Sequence, residues 1–208
     1  MTATGLREQR RQRLLEFNRE HLLDAAEAVF GARGFQDATI KEIAERAELS
    51  VGAVYGIVDG KEDLLAQALA RRGAEMLAAM DAAIAGDADA RGLLHALADV
   101  EIDFFRRHPD FGRLWLRWAG PGHWGLSPAS LDRLGVDIDR AMQIQGDLIR
   151  RGQREGSLRA GDPDVLDRIF SGMVQSFQAN DPACVGETGV ERLTLIDFHA
   201  LVEGAFTP

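Results

Sequence analysis

Thr39, Ser50, Tyr55 and Lys61 lie close together in the chain, and each carries a hydroxyl or an ammonium group that can donate to a phosphate oxygen. Thr39 and Ser50 are also residue types that cap helix N-termini, and orphan backbone N–H groups at such ends favour anions. Lys61 stands near a further helix start, just after Asp59-Gly60. Upstream, Arg10, Arg11 and Arg13 form a basic run of the kind that reaches a DNA backbone or minor groove. The chemistry in view is anion binding rather than bond making. Plainer roles stand beside it: caps without DNA, a tyrosine finishing a core, a solvated basic tail.

Three common enzyme motifs are absent from the sequence. There is no G-x-x-x-x-G-K-[ST], no H-E-x-x-H and no G-x-S-x-G. Gly60-Lys61 is followed by Glu62, so it fails as a phosphate loop. Asp99, Glu101 and Asp103 make a carboxylate cluster in which Asp99 and Asp103 read as a solvated face. Cys184 is the single cysteine; it is expected in a loop with no activating base, and it supports neither a disulfide framework nor a multi-cysteine zinc site. No enzyme activity, metal or cofactor is expected.

The net charge of -9 argues against a nucleic-acid partner until its distribution is considered. Residues 1–19 hold Arg7, Arg10, Arg11, Arg13 and Arg19 against Glu8 and Glu16, so the acid excess lies further along. A local positive surface suffices for DNA, and the acidic remainder predicts weak non-specific binding. No apolar run approaches the ~18–20 residues of a membrane span, and no secretory signal opens the chain. A cytoplasmic protein is expected.

Apolar spacing is helical nearly throughout, which predicts an all-α chain with short helices first and longer ones after. Thr39 with Glu42 forms a capping box that starts a helix at about 40–47. Ser50 caps the next, at about 51–57, with Leu49 and Val54 at the two staple positions. The turn between them lacks its usual glycine, so Glu48 is expected there in a strained conformation. Two short helices with a tight turn, behind a longer helix carrying Leu22, Leu23, Ala26 and Phe30, describe a helix-turn-helix at about 39–57. Later helices are expected to end near His108-Pro109, at Gly152 or Gly156, and at Asn180-Asp181-Pro182. A loop is expected at 120–125, and a last helix at about 188–204.

Residues 22–65 resemble the N-terminal domain of the TetR family of transcriptional regulators. The resemblance is carried by Ala25-Ala26, Phe30, Gly34-Phe35, Thr39, Ile43-Ala44, Ser50, Gly52, Tyr55 and Lys61-Glu62-Asp63-Leu64, in order. It implies a flexible Arg-rich arm at 1–16, a DNA-binding head at 17–65 and an all-helical effector-binding and dimerisation body at 66–208. Val51, Gly52 and Ala53 would then face the major groove, flanked by Thr39, Lys41, Ser50, Tyr55 and Lys61. The chain departs from the family at Ile57, where His or Tyr usually touches phosphate, at Val58 in place of Phe, and at Gly56. Its groove-facing residues offer contact to a thymine methyl rather than hydrogen bonds to bases.

The resemblance further implies a homodimer, a repressor on double-stranded operator DNA, and release by a small apolar or aromatic effector. Candidate pocket residues are Phe104, Phe105, His108, Trp115, Trp118, Met142, Phe170 and Met173, with His123 and Trp124 nearby. Candidate dimer residues on the last two helices are Val165, Ile169, Gly172, Val174, Phe177, Leu193, Ile196 and Leu201. Two other readings stay open: a ligand-responsive helical dimer with weak or lost DNA binding, and a small helical enzyme.

Overall fold

The computed structural model describes residues 3–119, 127–190 and 193–208, with side chains described from residue 5 and not for 128–137. The loop expected at 120–125, with His123 and Trp124, lies outside the described residues. Helices α1 (Ala3–Arg33), α2 (Ile40–Arg46) and α3 (Val51–Tyr55) build the head. The body follows as α4 (Lys61–Ile84), α5 (Ala90–Arg107), α6 (Pro109–Ala119), α7 (Pro128–Glu155), α8 (Pro163–Asn180) and α9 (Leu195–Phe206), with a 3₁₀ turn at Pro182–Val185. Among the described residues there is no strand, and no helix is long and apolar enough to cross a membrane.

Local chemistry explains most boundaries. Asp89 caps α5 by accepting from Gly92 N–H at 2.8 Å. Asp162 caps α8, and Pro163 follows at a position where its missing N–H costs nothing. Gly156, with φ 73°, closes α7. Two expectations need correction. Residues 3–16 are the opening turns of α1 rather than a loose arm, because they hold good helix formers and no proline. The last helix begins at Leu195, not at 188, because Thr194 Oγ1 accepts from Asp197 N–H at 3.1 Å and sets the start there. Val190 and Leu193 therefore precede α9, with Val190 85% exposed.

A single apolar core runs from head to body. Leu22, Phe30, Ile43, Val54, Leu64 and Leu65 fill the head, all fully buried, and the cluster continues into Leu94, Leu97, Ile102 and Phe170. The boundary drawn at 65/66 falls inside α4, so one continuous helix belongs to both parts. In the body α4 packs on α5 and α7, while in the head it packs on α1. Helix α6 also lies against α1. A Cβ on Gly31 of α1 would fall 2.7 Å from the Asp110 carbonyl oxygen of α6, so the two backbones meet there with no room for a side chain.

Candidate nucleic-acid interface and effector cavity

Helices α2 and α3 are held by their caps. Thr39 Oγ1 accepts from Glu42 N–H at 3.2 Å, and Ser50 Oγ accepts from Ala53 N–H at 3.1 Å. The Glu42 carboxylate reaches Arg33 on α1 at 2.5 Å, which ties α2 to the helix behind it. Between the two helices Glu48 takes φ 56°, the left-handed conformation expected of a turn without glycine. Val54 is fully buried and anchors α3. The opposite side of α3 is open: Val51 is 41% and Tyr55 59% exposed, and Gly52 is exposed beside a half-buried Ala53. Thr39, Ser50 and Lys41 are exposed as well, with the Lys41 ammonium 3.8 Å from Glu45. Apart from Ala53, these residues are all exposed on a short, well-anchored helix pair.

Lys61 does not join that exposed set. Its Nζ donates to the backbone carbonyls of Gln36 at 3.2 Å and Ala38 at 3.0 Å, and it stands 4.6 Å from the centre of the Phe35 ring. It fastens the loop before α2 to the start of α4. A lysine has three donors, so its role here is a clamp first. Helix α3 ends at Tyr55 rather than 57, with Gly56 as its C-cap, and Ile57 then turns partly into the core. Arg10, Arg11 and Arg13 sit exposed on α1.

A charged seam joins head to body. Glu27 on α1 is 2% exposed and bonds to Arg71 and Arg72 of α4; both its oxygens lie 3.1 Å from Arg72 Nε. Arg71 also meets Glu20 at 2.7 Å and Asp24 at 2.6 Å, and Arg72 meets Glu75 at 2.7 Å. Burial pushes the Glu27 carboxyl above its ordinary value, and the two arginines offset this only in part. Burial also opposes the Arg71 charge, but the bonds it donates to Glu27, Glu20 and Asp24, with the Glu27 charge, together outweigh it and raise its pKa. Since arginine does not give up its proton, Glu27 meets permanent positive charge there.

A cavity of about 200 Å³ lies between α4, α5, α6, α7 and α8. Met76, Met80, Phe105, Phe111 and Trp115 supply much of its apolar wall, and Met142, 45% exposed, also lines it. Of the eight candidates, the structure brings together Phe105, Trp115 and Met142. Phe104 and Phe170 are packed in the core, Trp118 backs Trp115 with ring centres 5.2 Å apart, and His108 lies against Phe104 at 4.6 Å. Burial lowers the His108 pKa, which favours the neutral ring. Met173 lines a different groove.

The polar members of the cavity were not among the candidates. Glu101 lines it and accepts from Gln145 Nε2 at 2.8 Å, while Ser171 Oγ donates to Gln145 Oε1 at 2.7 Å. Gln178 donates to the Glu101 backbone carbonyl at 3.4 Å, and Gln175 completes the wall. Burial pushes the Glu101 carboxyl up to about 7, against the opposing Gln145 bond. A sequence signal existed: Glu101 lies between Leu97 and Phe105 at helical spacing, whereas Asp99 and Asp103 fall off that stripe. Cys184 is fully buried in the 3₁₀ turn rather than in an open loop, and burial pushes its thiol up to about 12, so it stays protonated.

Residues 22–68 match the family model described as bacterial regulatory proteins, tetR family. This N-terminal stretch is therefore similar to the DNA-binding domain of the TetR family. The HTH-type transcriptional regulator SrpR of Pseudomonas putida is 44% identical over 57 residues, which is 27% of this chain and 27% of that regulator. The similarity to this curated relative thus spans about a quarter of its length. Over the whole fold, the ketosteroid transcriptional regulator KstR2 of Mycobacterium tuberculosis superposes with a TM-score of 0.72 at 21% identity, covering 91% of this chain and 95% of that one. The transcriptional regulator FadR of Bacillus subtilis, solved in complex with stearoyl-CoA, gives 0.66 at 16% identity over 76% of this chain and 83% of that one.

On α8 and α9 the candidate dimer residues divide. Val165 (44%), Ile169 (46%), Ile196 (81%) and Leu201 (54%) are exposed apolar side chains on α8 and α9, and Gly172 is exposed among them. Val174 and Phe177 are instead buried within the subunit, Phe177 against Phe198 at 5.0 Å, because they lie on the inward side of α8. A groove of about 480 Å³ runs past Ile169, Gly172, Met173, Leu193 and Leu201.

Proposed function

We propose that this chain is a homodimeric transcriptional repressor that binds operator DNA through its head and is released by a small, largely apolar effector. The observation that carries the reading is α3. Its buried Val54 fixes it to the core, and its exposed Val51, Gly52 and Tyr55 are left for the major groove. Thr39, Lys41, Ser50 and the hydroxyl of Tyr55 supply contacts to phosphate around it. Dimerisation through the apolar residues of α8 and α9 would present two heads to a two-fold operator. Connectivity supports effector release. Helix α4 lines the cavity and enters the head, and α6 carries Phe111 and Trp115 while abutting α1 at Gly31. A ligand that displaces either helix shifts the head, and coupling of about 1–3 kcal/mol corresponds to roughly 5–150-fold in DNA affinity. The stearoyl-CoA complex of the Bacillus subtilis relative supports a mostly apolar effector.

A second reading, a ligand-responsive dimer with little DNA affinity, is favoured by Ile57. It packs toward the core where a phosphate-touching residue would stand. Selection of bound duplexes from a random pool at low salt separates the two. Enrichment of a two-fold symmetric site supports the repressor, and the absence of any enriched site favours the second reading.

A further inference from the structure

We propose that the cavity takes a lipophilic amine, with its ammonium group on the Glu101 carboxylate and its apolar body among Met76, Met80, Phe105, Phe111 and Trp115. The proposal rests on the reading of this cavity as the effector site and narrows the class of effector. Among the described residues that line the cavity, Glu101 is the one charged side chain; no lysine, arginine or histidine faces it there. A carboxylate in an apolar cavity without a counter-cation is costly, and a ligand cation supplies what the protein withholds.

Hydrogen-bond direction points the same way. Ser171 donates to Gln145, and Gln145 donates to Glu101, so the relay ends on a carboxyl whose oxygens, once ionised, can only accept further. The complementary ligand group is a donor. Asp167, one helical turn before Ser171, adds a second acid: it is 6% exposed, and its Oδ1 has no hydrogen-bond partner. Its influence on Glu101 is repulsive, and burial pushes its own carboxyl up to about 6. The arginines whose charge acts on it, Arg168 and Arg150, are exposed, and Arg150 is already paired with Asp147 and Asp164. The region therefore repels a ligand carboxylate and attracts a cation. Phe105, Phe111 and Trp115 make the wall aromatic, and aromatic rings attract cations, while the methionines adapt to varied apolar shapes.

The test compares three probes of one shape by calorimetry at pH 8: 4-phenylbutylamine, 4-phenylbutan-1-ol and 4-phenylbutyrate. The amine is expected to bind at least roughly tenfold more tightly than the alcohol, the lower end for a desolvated charge pair, with the acid weakest. In Glu101→Gln the amine-to-alcohol ratio should collapse to within about threefold. Should that variant fail to fold, the three-probe comparison on the unaltered chain carries the test. Alcohol or acid binding as tightly as the amine overturns the amine while leaving the cavity an effector site. Failure of all three to bind at millimolar concentration overturns the cavity reading as well.

Discussion

Glu27 offers the sharpest test of how head and body are joined. Its carboxylate is nearly fully buried between Arg71 and Arg72, so Glu27→Ala removes charge-assisted bonds from two arginines at once. Breaking a buried ion pair from one side costs about 3–5 kcal/mol when the partner is left uncompensated. Here the partners are not wholly stranded. Arg71 keeps Glu20 and Asp24, and Arg72 keeps Asp24 and Glu75, so the lower end, about 3 kcal/mol, is expected. Glu27→Gln keeps a carbonyl acceptor and should lose about half as much. The control is Glu20→Ala: that side chain is 48% exposed, and a surface pair is worth roughly 0–1 kcal/mol. Urea unfolding followed by circular dichroism measures all three, and a 3 kcal/mol loss moves the midpoint by about 1 M or more. If Glu27→Ala lies within about 0.5 kcal/mol of the parent, or no lower than Glu20→Ala, the seam does not hold α1 on α4.

Three further outcomes follow. Glu48→Gly relieves a left-handed residue that costs about 1–2 kcal/mol, less the ~0.5–1 kcal/mol by which glycine loosens the unfolded chain, so a small rise in melting temperature is expected and a fall would contradict the turn geometry. Gly31→Ala drives a Cβ against the α6 backbone and should destabilise by about 1–3 kcal/mol while blunting effector release of DNA; an unchanged response would remove α6 from the coupling route. Glu101 carries a pH signature. With a carboxyl at about 7 in the fold against 4.5 unfolded, the folded state binds the extra proton, so stability falls as pH rises from about 4.5 to 7 and levels beyond. The shift corresponds to at most about 3 kcal/mol, less so far as water enters the cavity, and denaturation at pH 5 and pH 8 should show Glu101→Gln losing less than the parent.

The helix-turn-helix is legible in the sequence because its signals are local. Thr39 and Ser50 act on N–H groups three residues away, and Glu48 occupies a turn whose geometry admits few conformations. Pro163 and Asn180-Asp181-Pro182 mark α8 for the same reason. What sequence does not reveal depends on distant partners. The Lys61 clamp needs Gln36 and Ala38, which only tertiary packing brings to it. Large apolar residues on the middle helices look alike whether they fill the core, as Phe170 does, or line a cavity, as Trp115 does. Val174 and Phe177 share a helix with Val165 and Ile169 yet face inward, a difference fixed by how α8 sits on its neighbours. Glu101 was the recoverable case, since one acid on an apolar stripe is a costly placement.

The central claim is that the exposed side of α3 meets DNA. Val51→Glu tests it most directly, because Val51 is 41% exposed and a carboxylate there leaves the core untouched while bringing negative charge to the DNA. Fluorescence anisotropy on a selected duplex at about 50 mM salt gives the affinity. The account predicts a loss of roughly a hundredfold or more with an unchanged melting temperature, together with salt-dependent binding by the parent. Equal affinity of Val51→Glu and the parent for that duplex would contradict it.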